Sequence, residues 1–200
     1  MKFTKKDFYF SVITGFITGF VAWQIFNFLD VAKVKEISFA WFLLVVPVLW
    51  ILGVNLGYFL GQWLAFFNQF GKFATIGFTN AAVDFGVLNI LIANTDISSG
   101  GWYSVFKAIS FMSAVIPSYF WNKYWAFEGS EGTSFEFAKF ISVAIVSIFI
   151  NTGTASLVVN YINPLVGLSP AVWANVGAVA GSAVALIFSF VGFKVAVFKK

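Results

Sequence analysis

The pattern of hydrophobic and polar positions divides the chain into six long apolar stretches separated by short polar ones. Each stretch reaches the roughly 20 helical residues that cross a bilayer core about 30 Å thick, so the pattern predicts six membrane-spanning helices. Their predicted bounds are 8–29, 37–67, 73–93, 102–127, 137–161 and 171–198. The second stretch holds 31 residues without a charge, so we expect it to tilt, to kink near Pro47 or to end along the interface.

The connecting segments are short and rich in Gly, Asn, Ser and Pro, as turns are, and none could hold a soluble domain. The first stretch exceeds the ~7–15 apolar residues of a signal-peptide core, which favours a retained helix. The predicted fold is therefore an all-α, polytopic membrane helix bundle. We expect a two-helix membrane segment over residues 1–69 and a four-helix membrane domain over residues 70–200.

Composition agrees with this class and excludes most chemistry. Of the 200 residues, 60% are apolar and 10% charged, against about 45–50% and 25% in soluble domains. The chain has no Cys and no His, so it lacks thiolate ligands and the commonest general base. Nucleotide-binding and hydrolase motifs are also absent from the sequence. We predict no catalytic residue, no metal, no cofactor and no nucleic-acid partner, and transport that ATP does not drive directly.

The lysines predict the orientation. With a cytoplasmic amino terminus, nine of the 12 basic residues lie in inner segments and three in outer ones. The positive-inside rule then places both termini in the cytoplasm. The inner set is Lys2, Lys5, Lys6, Lys72, Lys123, Lys139, Lys194, Lys199 and Lys200, and the outer set is Lys33, Lys35 and Lys107.

The last four stretches contain a faint internal repeat. The segment Phe70-Gly71-Lys72-Phe73 recurs 67 positions later as Phe137-Ala138-Lys139-Phe140, and at that offset Asp84 corresponds to Asn151. Each copy holds two spans, so the two copies would form parallel repeats. Chance similarity between two apolar hairpins is the alternative, but apolar bias alone does not explain lysines at corresponding ends.

These residues resemble the GtrA-like family of small four-helix membrane proteins. The resemblance covers about residues 70–200 and leaves the first two spans outside. Phe193 stands where the first repeat has Asn122, so a role of that Asn is not duplicated. Four motifs carry the resemblance to this family: the Phe-x-Lys-Phe start, the polar segment 79–84, the ending Asn122-Lys123-x-Trp125-x-Phe127 and the weaker Lys194-x-x-x-Phe198.

The resemblance implies movement of polyprenyl-phosphate-linked monosaccharides across the bacterial plasma membrane, where the sugar serves glycosylation of cell-surface polymers. The implied partners are the sugar-bearing polyprenyl-phosphate lipid, membrane lipids and, as a candidate, a membrane glycosyltransferase. Two other functions stay open. One is a scaffold that holds a glycosyltransferase without transport, and the other is a small-solute or multidrug exporter with Asp84 as its proton site.

Asp84 is the candidate site residue that the sequence marks most clearly. It lies near the middle of the third stretch, where an ionisable group costs at least ~2.5–3.5 kcal/mol and suggests function. Asn80 lies one turn earlier on the same face, and Asn151 is the counterpart of Asp84 in the repeat. We expect these residues to line a polar pathway. A structural carboxyl group, hydrogen-bonded or protonated within the bundle, is the alternative.

Lys123, Lys194 and Lys107 are the candidate phosphate-binding residues. Lys123 and Lys194 close the two repeats at their inner ends, where orientation alone would also explain them. Lys107 is expected to extend outward to the interface, to pair with Asp84 or to receive phosphate on the outer side. Sugar binding is assigned to Asn122, Tyr119 and Trp125, although an interfacial aromatic belt explains Trp125 equally well.

Stripes of small residues predict close helix packing. They include Gly15 and Gly19 in the first stretch, and Gly53 and Gly57 in the second. Gly177 and Gly181 belong to the sixth stretch. Four helices with short polar groups make a thin wall for a headgroup pathway, so we also predict a homo-oligomer.

Overall fold

The residues that the structure describes form six long helices. The computed structural model describes residues 2–29, 38–127, 134–165 and 167–192. A 3-10 turn (Phe39–Trp41) precedes α2, and a π-helical turn of five residues (Asn122–Ala126) follows α4. The predicted all-α helix bundle is therefore confirmed. The helices are α1 (Lys5–Phe28), α2 (Phe42–Leu60), α3 (Phe67–Thr95), α4 (Gly100–Trp121), α5 (Ser134–Tyr161) and α6 (Pro170–Gly192).

Among the described residues, five helices are long and apolar enough to cross a membrane, and α4 is not one of them. The 22 residues of α4 would extend about 33 Å at ~1.5 Å per residue. Four serines and Lys107 dilute its apolar residues, which is why it falls short on composition. The prediction of a membrane protein with several spanning helices is confirmed, and a membrane crossing by α4 stays a prediction.

The second predicted span is wrong as a single helix. The helix ends at Leu60, residues 61–66 form turns, and α3 begins at Phe67 rather than at residue 73. The turn is itself apolar, with Trp63, Leu64 and Phe66 exposed. The apolar stretch therefore continues through the turn that begins at Gly61, although the helix itself ends there.

The bundle has its polar groups inside and many large apolar groups outside. Leu44 and Phe149 are 75% and 73% exposed, whereas Lys107 and Asn151 are fully buried. This distribution is expected where lipid, and not water, surrounds the helices.

The chain divides into two compact units, and α3 and α4 contribute residues to both. The first unit holds Met1–Gly86 with Pro117–Gly129, and the second holds Val87–Ile116 with Ser130–Lys200. The sequence-based boundary between residues 69 and 70 stays a prediction.

Glycines set the close helix contacts inside each unit. In the first unit, a Cβ on Gly15 would lie 2.5 Å from Pro47 Cα, and one on Gly19 would collide with the carbonyl oxygen of Phe42, so α1 and α2 touch through their backbones. In the second unit, Gly181 of α6 meets the Asn151 carbonyl of α5 in the same way. The predicted packing role of these glycines is confirmed. A Cβ on Gly53 would meet no atom within 4 Å, so close packing does not require a glycine at this position.

We predict that Gly181→Ala destabilises the protein, whereas Gly153→Ala does not. A methyl group at residue 181 must displace the α5 backbone, while one at residue 153 meets no atom within 4 Å. Overpacking of this kind costs about 1–3 kcal/mol, which lowers the melting temperature by ~2–4 °C per kcal/mol. Thermal unfolding in detergent measures both variants, and equal melting temperatures would contradict the packing described here.

Candidate functional site

A buried carboxylate lies at one end of the first unit, where α1 and α3 begin and where α2 and α4 end. Asp7 of α1 is 1% exposed. Its Oδ1 lies 2.8 Å from Lys72 Nζ and accepts a hydrogen bond of 2.9 Å from Trp125 Nε1. Its Oδ2 accepts a hydrogen bond of 3.0 Å from the Tyr58 hydroxyl. We call Thr4, Asp7, Tyr58, Lys72 and Trp125 the Asp7 cluster.

The local sequence explains how Asp7 comes to this position. Thr4 is the N-cap of α1, and Asp7 is the third residue of the helix, so the two form a capping box. The Thr4 amide and hydroxyl both donate to Asp7 Oδ2, at 2.9 and 2.8 Å. Asp7 therefore closes the first turn of α1 and also accepts donors from other helices.

Lys72 is the cation of the cluster, and it lies in the second turn of α3. It is 8% exposed. Besides its ion pair, its Nζ lies 5.6 Å from the centre of the Tyr58 ring and 3.5 Å from the Trp125 carbonyl oxygen. A buried ion pair is tolerated only when further hydrogen bonds satisfy both charges, and this cluster supplies them.

Trp125 is the aromatic member of the cluster, and it lies in the π-helical turn after α4. It is fully buried, and its ring stacks on Phe10 of α1 with centres 5.3 Å apart. The ring is therefore covered by protein on the side of Phe10, and the predicted sugar-binding role of Trp125 stays a prediction. Short π-helical turns often occur at functional sites, and this one brings the indole N–H to Asp7.

Polar groups continue along α3 beyond the cluster. The Thr79 hydroxyl accepts hydrogen bonds from Thr18 of α1 at 3.1 Å and from the indole N–H of Trp50 in α2 at 3.3 Å. Together with Lys72, buried Thr75 and Thr79 form a polar line on α3. In the first unit, α1 and α2 therefore pack against α3 through polar contacts as well as through glycines.

Two of the predicted sugar-binding residues are joined through Ser118 in the first unit. Asn80 Nδ2 donates to the Ser118 hydroxyl at 2.7 Å, and Asn122 Nδ2 donates to the Ser118 carbonyl at 2.9 Å. Asn122 is 3% exposed, and its Oδ1 accepts no hydrogen bond from the described residues. A ligand hydroxyl could donate to this acceptor.

Asp84 and Lys107 are both buried, at 1% and 0% exposure. Asp84 lies in the first unit, three residues beyond the middle of α3. Lys107 lies in the second unit, with its ammonium 5.8 Å from the centre of the Phe111 ring. Because no part of Lys107 is exposed, its predicted extension to the interface does not occur. Its pairing with Asp84 stays a prediction.

The second unit contains buried amides and hydroxyls. Asn151 of α5 is fully buried; its Nδ2 donates to Ser182 at 3.2 Å, and its Oδ1 has no hydrogen-bond partner among the described residues. Asn89 and Asn175 exchange two hydrogen bonds of 2.7 and 2.8 Å. These groups can bind neutral hydroxyls, but they carry no charge.

Lys123 follows Asn122 in the π-helical turn. Its ammonium lies 5.5 Å from the centre of the Tyr119 ring and 5.6 Å from that of Tyr124. The side chain is half-buried, so an anion that approached it would meet one cation between two aromatic rings. Lys194, its predicted counterpart, lies outside the described residues.

Residues 72–198, well over half of the chain, match the family model described as GtrA/DPMS, transmembrane domain. The chain belongs to this family. The resemblance seen in the sequence is thereby confirmed. The GtrA/DPMS family is associated with polyprenyl-phosphate sugar carriers in membranes, and the chain is a multi-pass membrane protein. No curated protein and no solved structure matches it.

The GtrA/DPMS match divides the Asp7 cluster. Lys72 and Trp125 belong to the matched segment, whereas Thr4, Asp7 and Tyr58 precede it. Sequence reasoning assigned Trp125 to sugar binding, noted Lys72 only in the repeat and among the inner lysines, and missed Asp7 and Tyr58. One signal was available for Asp7, because an acidic residue three positions after a threonine predicts a capping box. Nothing in the sequence indicated its partners on other helices.

We predict a strong energetic coupling between Asp7 and Lys72. Removing one partner of a buried ion pair leaves the other charge uncompensated and costs about 3–5 kcal/mol. Asp7→Asn and Lys72→Gln should therefore each destabilise the protein, and the double variant should lose much less than the sum. Thermal unfolding of the single and double variants in detergent gives this coupling.

The control for these single and double variants is Asp96→Asn. It removes a carboxylate from the exposed turn after α3 and should leave stability unchanged. If the losses from the two single variants simply added, the ion pair would make no contribution of its own.

Proposed function

We propose that this protein is a flippase that moves a polyprenyl-phosphate-linked monosaccharide outward across the bacterial plasma membrane, for glycosylation of cell-surface polymers. The observation that carries the proposal is the number of buried polar groups along α3. Lys72, Thr75, Thr79, Asp84 and Asn89 all lie on this helix, and each is less than a tenth exposed. They belong to the GtrA/DPMS domain and are spaced over most of the helix length, with Asp84 on a different face from Thr75 and Thr79.

The chemistry of the substrate fits these groups. A polyprenyl-phosphate sugar presents a hydroxyl-rich ring, a phosphodiester with one negative charge and an isoprenoid tail. The tail can remain in lipid, whereas the phosphate needs a cation and the hydroxyls need hydrogen-bond partners at membrane depth. Lys72, Lys107 and Lys123 are candidates for the phosphate. Asn80, Asn122 and Asn151 supply amides for the hydroxyls.

The orientation follows from the lysine distribution. The end of the first unit that holds the Asp7 cluster also carries Lys2, Lys5, Lys6 and Lys123. By the positive-inside rule this end faces the cytoplasm, and both termini lie there. The lipid would therefore enter past the Asp7 cluster from the cytoplasmic leaflet.

In this proposal the protein moves its substrate without changing it chemically, and no residue acts as a catalyst. Consumption of the sugar outside, the lipid gradient or an ion gradient would set the direction of transport. A homo-oligomer and a membrane glycosyltransferase are the proposed protein partners.

Reconstitution tests the function. Fluorescent or radiolabelled undecaprenyl-phosphate sugar is placed in the inner leaflet of vesicles, and an outside probe measures how much becomes accessible. Exposure should rise only in vesicles that contain the protein. Unchanged accessibility, combined with capture of a glycosyltransferase, would favour the scaffold. Proton-coupled uptake of an organic cation that Asp84→Asn abolishes would favour the exporter.

We predict that Asp84→Asn slows sugar–lipid exposure about tenfold, which corresponds to ~1.4 kcal/mol in the transport barrier. The substitution keeps the shape of the side chain but removes an ionisable group near mid-membrane. The matched control is Asp96→Asn in the exposed turn, which should transport at the normal rate. Normal transport by Asp84→Asn with normal folding would make the carboxylate structural.

We also predict that Lys123→Gln weakens transport more than Lys2→Gln does. Both substitutions remove one positive charge from the end of the first unit that holds the Asp7 cluster. Only Lys123 is half-buried beside Asn122, whereas Lys2 is exposed. Initial rates over a range of lipid concentrations compare the two variants, and equal effects would reduce Lys123 to an orientation signal.

A further inference from the structure

The cation and the indole of the Asp7 cluster belong to the GtrA/DPMS domain, but the anion they bind does not. Lys72 and Trp125 lie inside the matched segment, and Asp7 lies in the preceding hairpin of α1 and α2. A buried ammonium requires an anion. In this chain the hairpin supplies it, so the matched segment provides a positively charged anion-binding site that a carboxylate from outside this segment fills.

The bound carboxylate has the charge pattern of a phosphodiester. Each carries one negative charge shared by two oxygens. One oxygen of Asp7 receives Lys72 Nζ and Trp125 Nε1, at 2.8 and 2.9 Å. The other receives the Tyr58 hydroxyl and two donors of Thr4, at 2.8 to 3.0 Å. Charge-assisted hydrogen bonds of this length also bind phosphate oxygens.

We propose that the Asp7 cluster is a binding site for the phosphodiester of a lipid headgroup, and that the Asp7 carboxylate occupies this site until the lipid displaces it. This inference rests on the proposed function, because it assigns to that function its phosphate site on the cytoplasmic side. The first helix then acts as a built-in competitor of the substrate.

The exchange needs only a local movement. Asp7 is the third residue of α1, so withdrawing it opens the capping box and the first turn. The rest of the hairpin keeps its contacts, because Gly15 and Gly19 hold α1 to α2 and Thr18 holds α1 to α3. The charge of the site stays balanced, since one singly charged anion replaces another.

Two buried acceptors without partners lie next to the cluster in the sequence. Asn122 Oδ1 belongs to the same π-helical turn as Trp125, and Ser11 Oγ lies one turn after Asp7 on α1. Both residues are at most 3% exposed, and neither atom has a hydrogen-bond partner among the described residues. A headgroup with hydroxyls next to its phosphate can satisfy such atoms.

The test measures binding without transport. The protein is placed in phosphatidylcholine nanodiscs and titrated calorimetrically with dodecyl methyl phosphate, a single-chain phosphodiester. Asp7→Ala should bind this probe at least tenfold more tightly than the wild type, because a competitor that holds the site at least nine-tenths of the time lowers the apparent affinity by that factor or more. Adding Lys72→Gln should abolish the gain.

Two further variants keep the result interpretable. Asp7→Asn removes the charge but keeps the shape of the side chain, and it should also bind the probe more tightly than the wild type. Both Asp7 variants lose stability, so both are titrated below the unfolding temperature measured for them as in the coupling experiment. Asp96→Asn should bind the probe as the wild type does.

Two more probes identify the source of the phosphate. Binding of dimethyl phosphate that depends on Lys72 would show that the headgroup suffices. The same dependence with phosphatidylglycerol would show that bilayer phospholipids also use the site. Equal binding by the wild type and both Asp7 variants, or a gain that survives Lys72→Gln, would overturn the proposal.

The binding and transport experiments can fail independently. Lys72-dependent binding in a protein that moves no sugar–lipid would support the anion site and refute the flippase. Transport of the sugar–lipid with equal probe binding by all variants would support the flippase and refute the anion site.

Discussion

The ion pair between Asp7 and Lys72 is the interaction on which the first unit depends. Moving either charge out of water costs several kcal/mol, so the pair requires a complete set of partners. Tyr58 and Trp125 supply donors from two other helices, and Thr4 supplies two more from the helix start. One carboxylate therefore fixes where four helix ends meet.

The same constraint links fold and function. Lipid cannot satisfy a polar group, so an amide, hydroxyl or charge in a span is costly unless it finds a partner inside the protein. The polar side chains of α3 therefore depend on internal hydrogen bonds. A ligand with a phosphate and several hydroxyls can replace those internal partners one by one, which makes such an interior suitable for moving a headgroup.

The sequence predicted those features that depend on hydropathy and on the cost of placing a charge in the membrane. The helical class follows from apolar length, and the burial of Asp84 from its place in an apolar stretch. The break after Leu60 was missed because the turn is itself apolar. The Asp7 cluster was missed because Asp7 and Trp125 are 118 residues apart. A capping box predicts a helix start, and only the fold shows which residues from other helices surround it.

In the proposed exchange, Asp7 pairs with Lys72 in the empty protein and yields to the lipid phosphate. Solid-state NMR in bilayers measures this directly, through dipolar couplings of the Lys72 ammonium nitrogen, assigned by its loss in Lys72→Gln. Without substrate, this nitrogen should couple strongly to the Asp7 carboxyl carbon. With saturating undecaprenyl-phosphate sugar, it should couple to phosphorus instead. An Asp7 coupling that the lipid leaves unchanged would exclude the exchange.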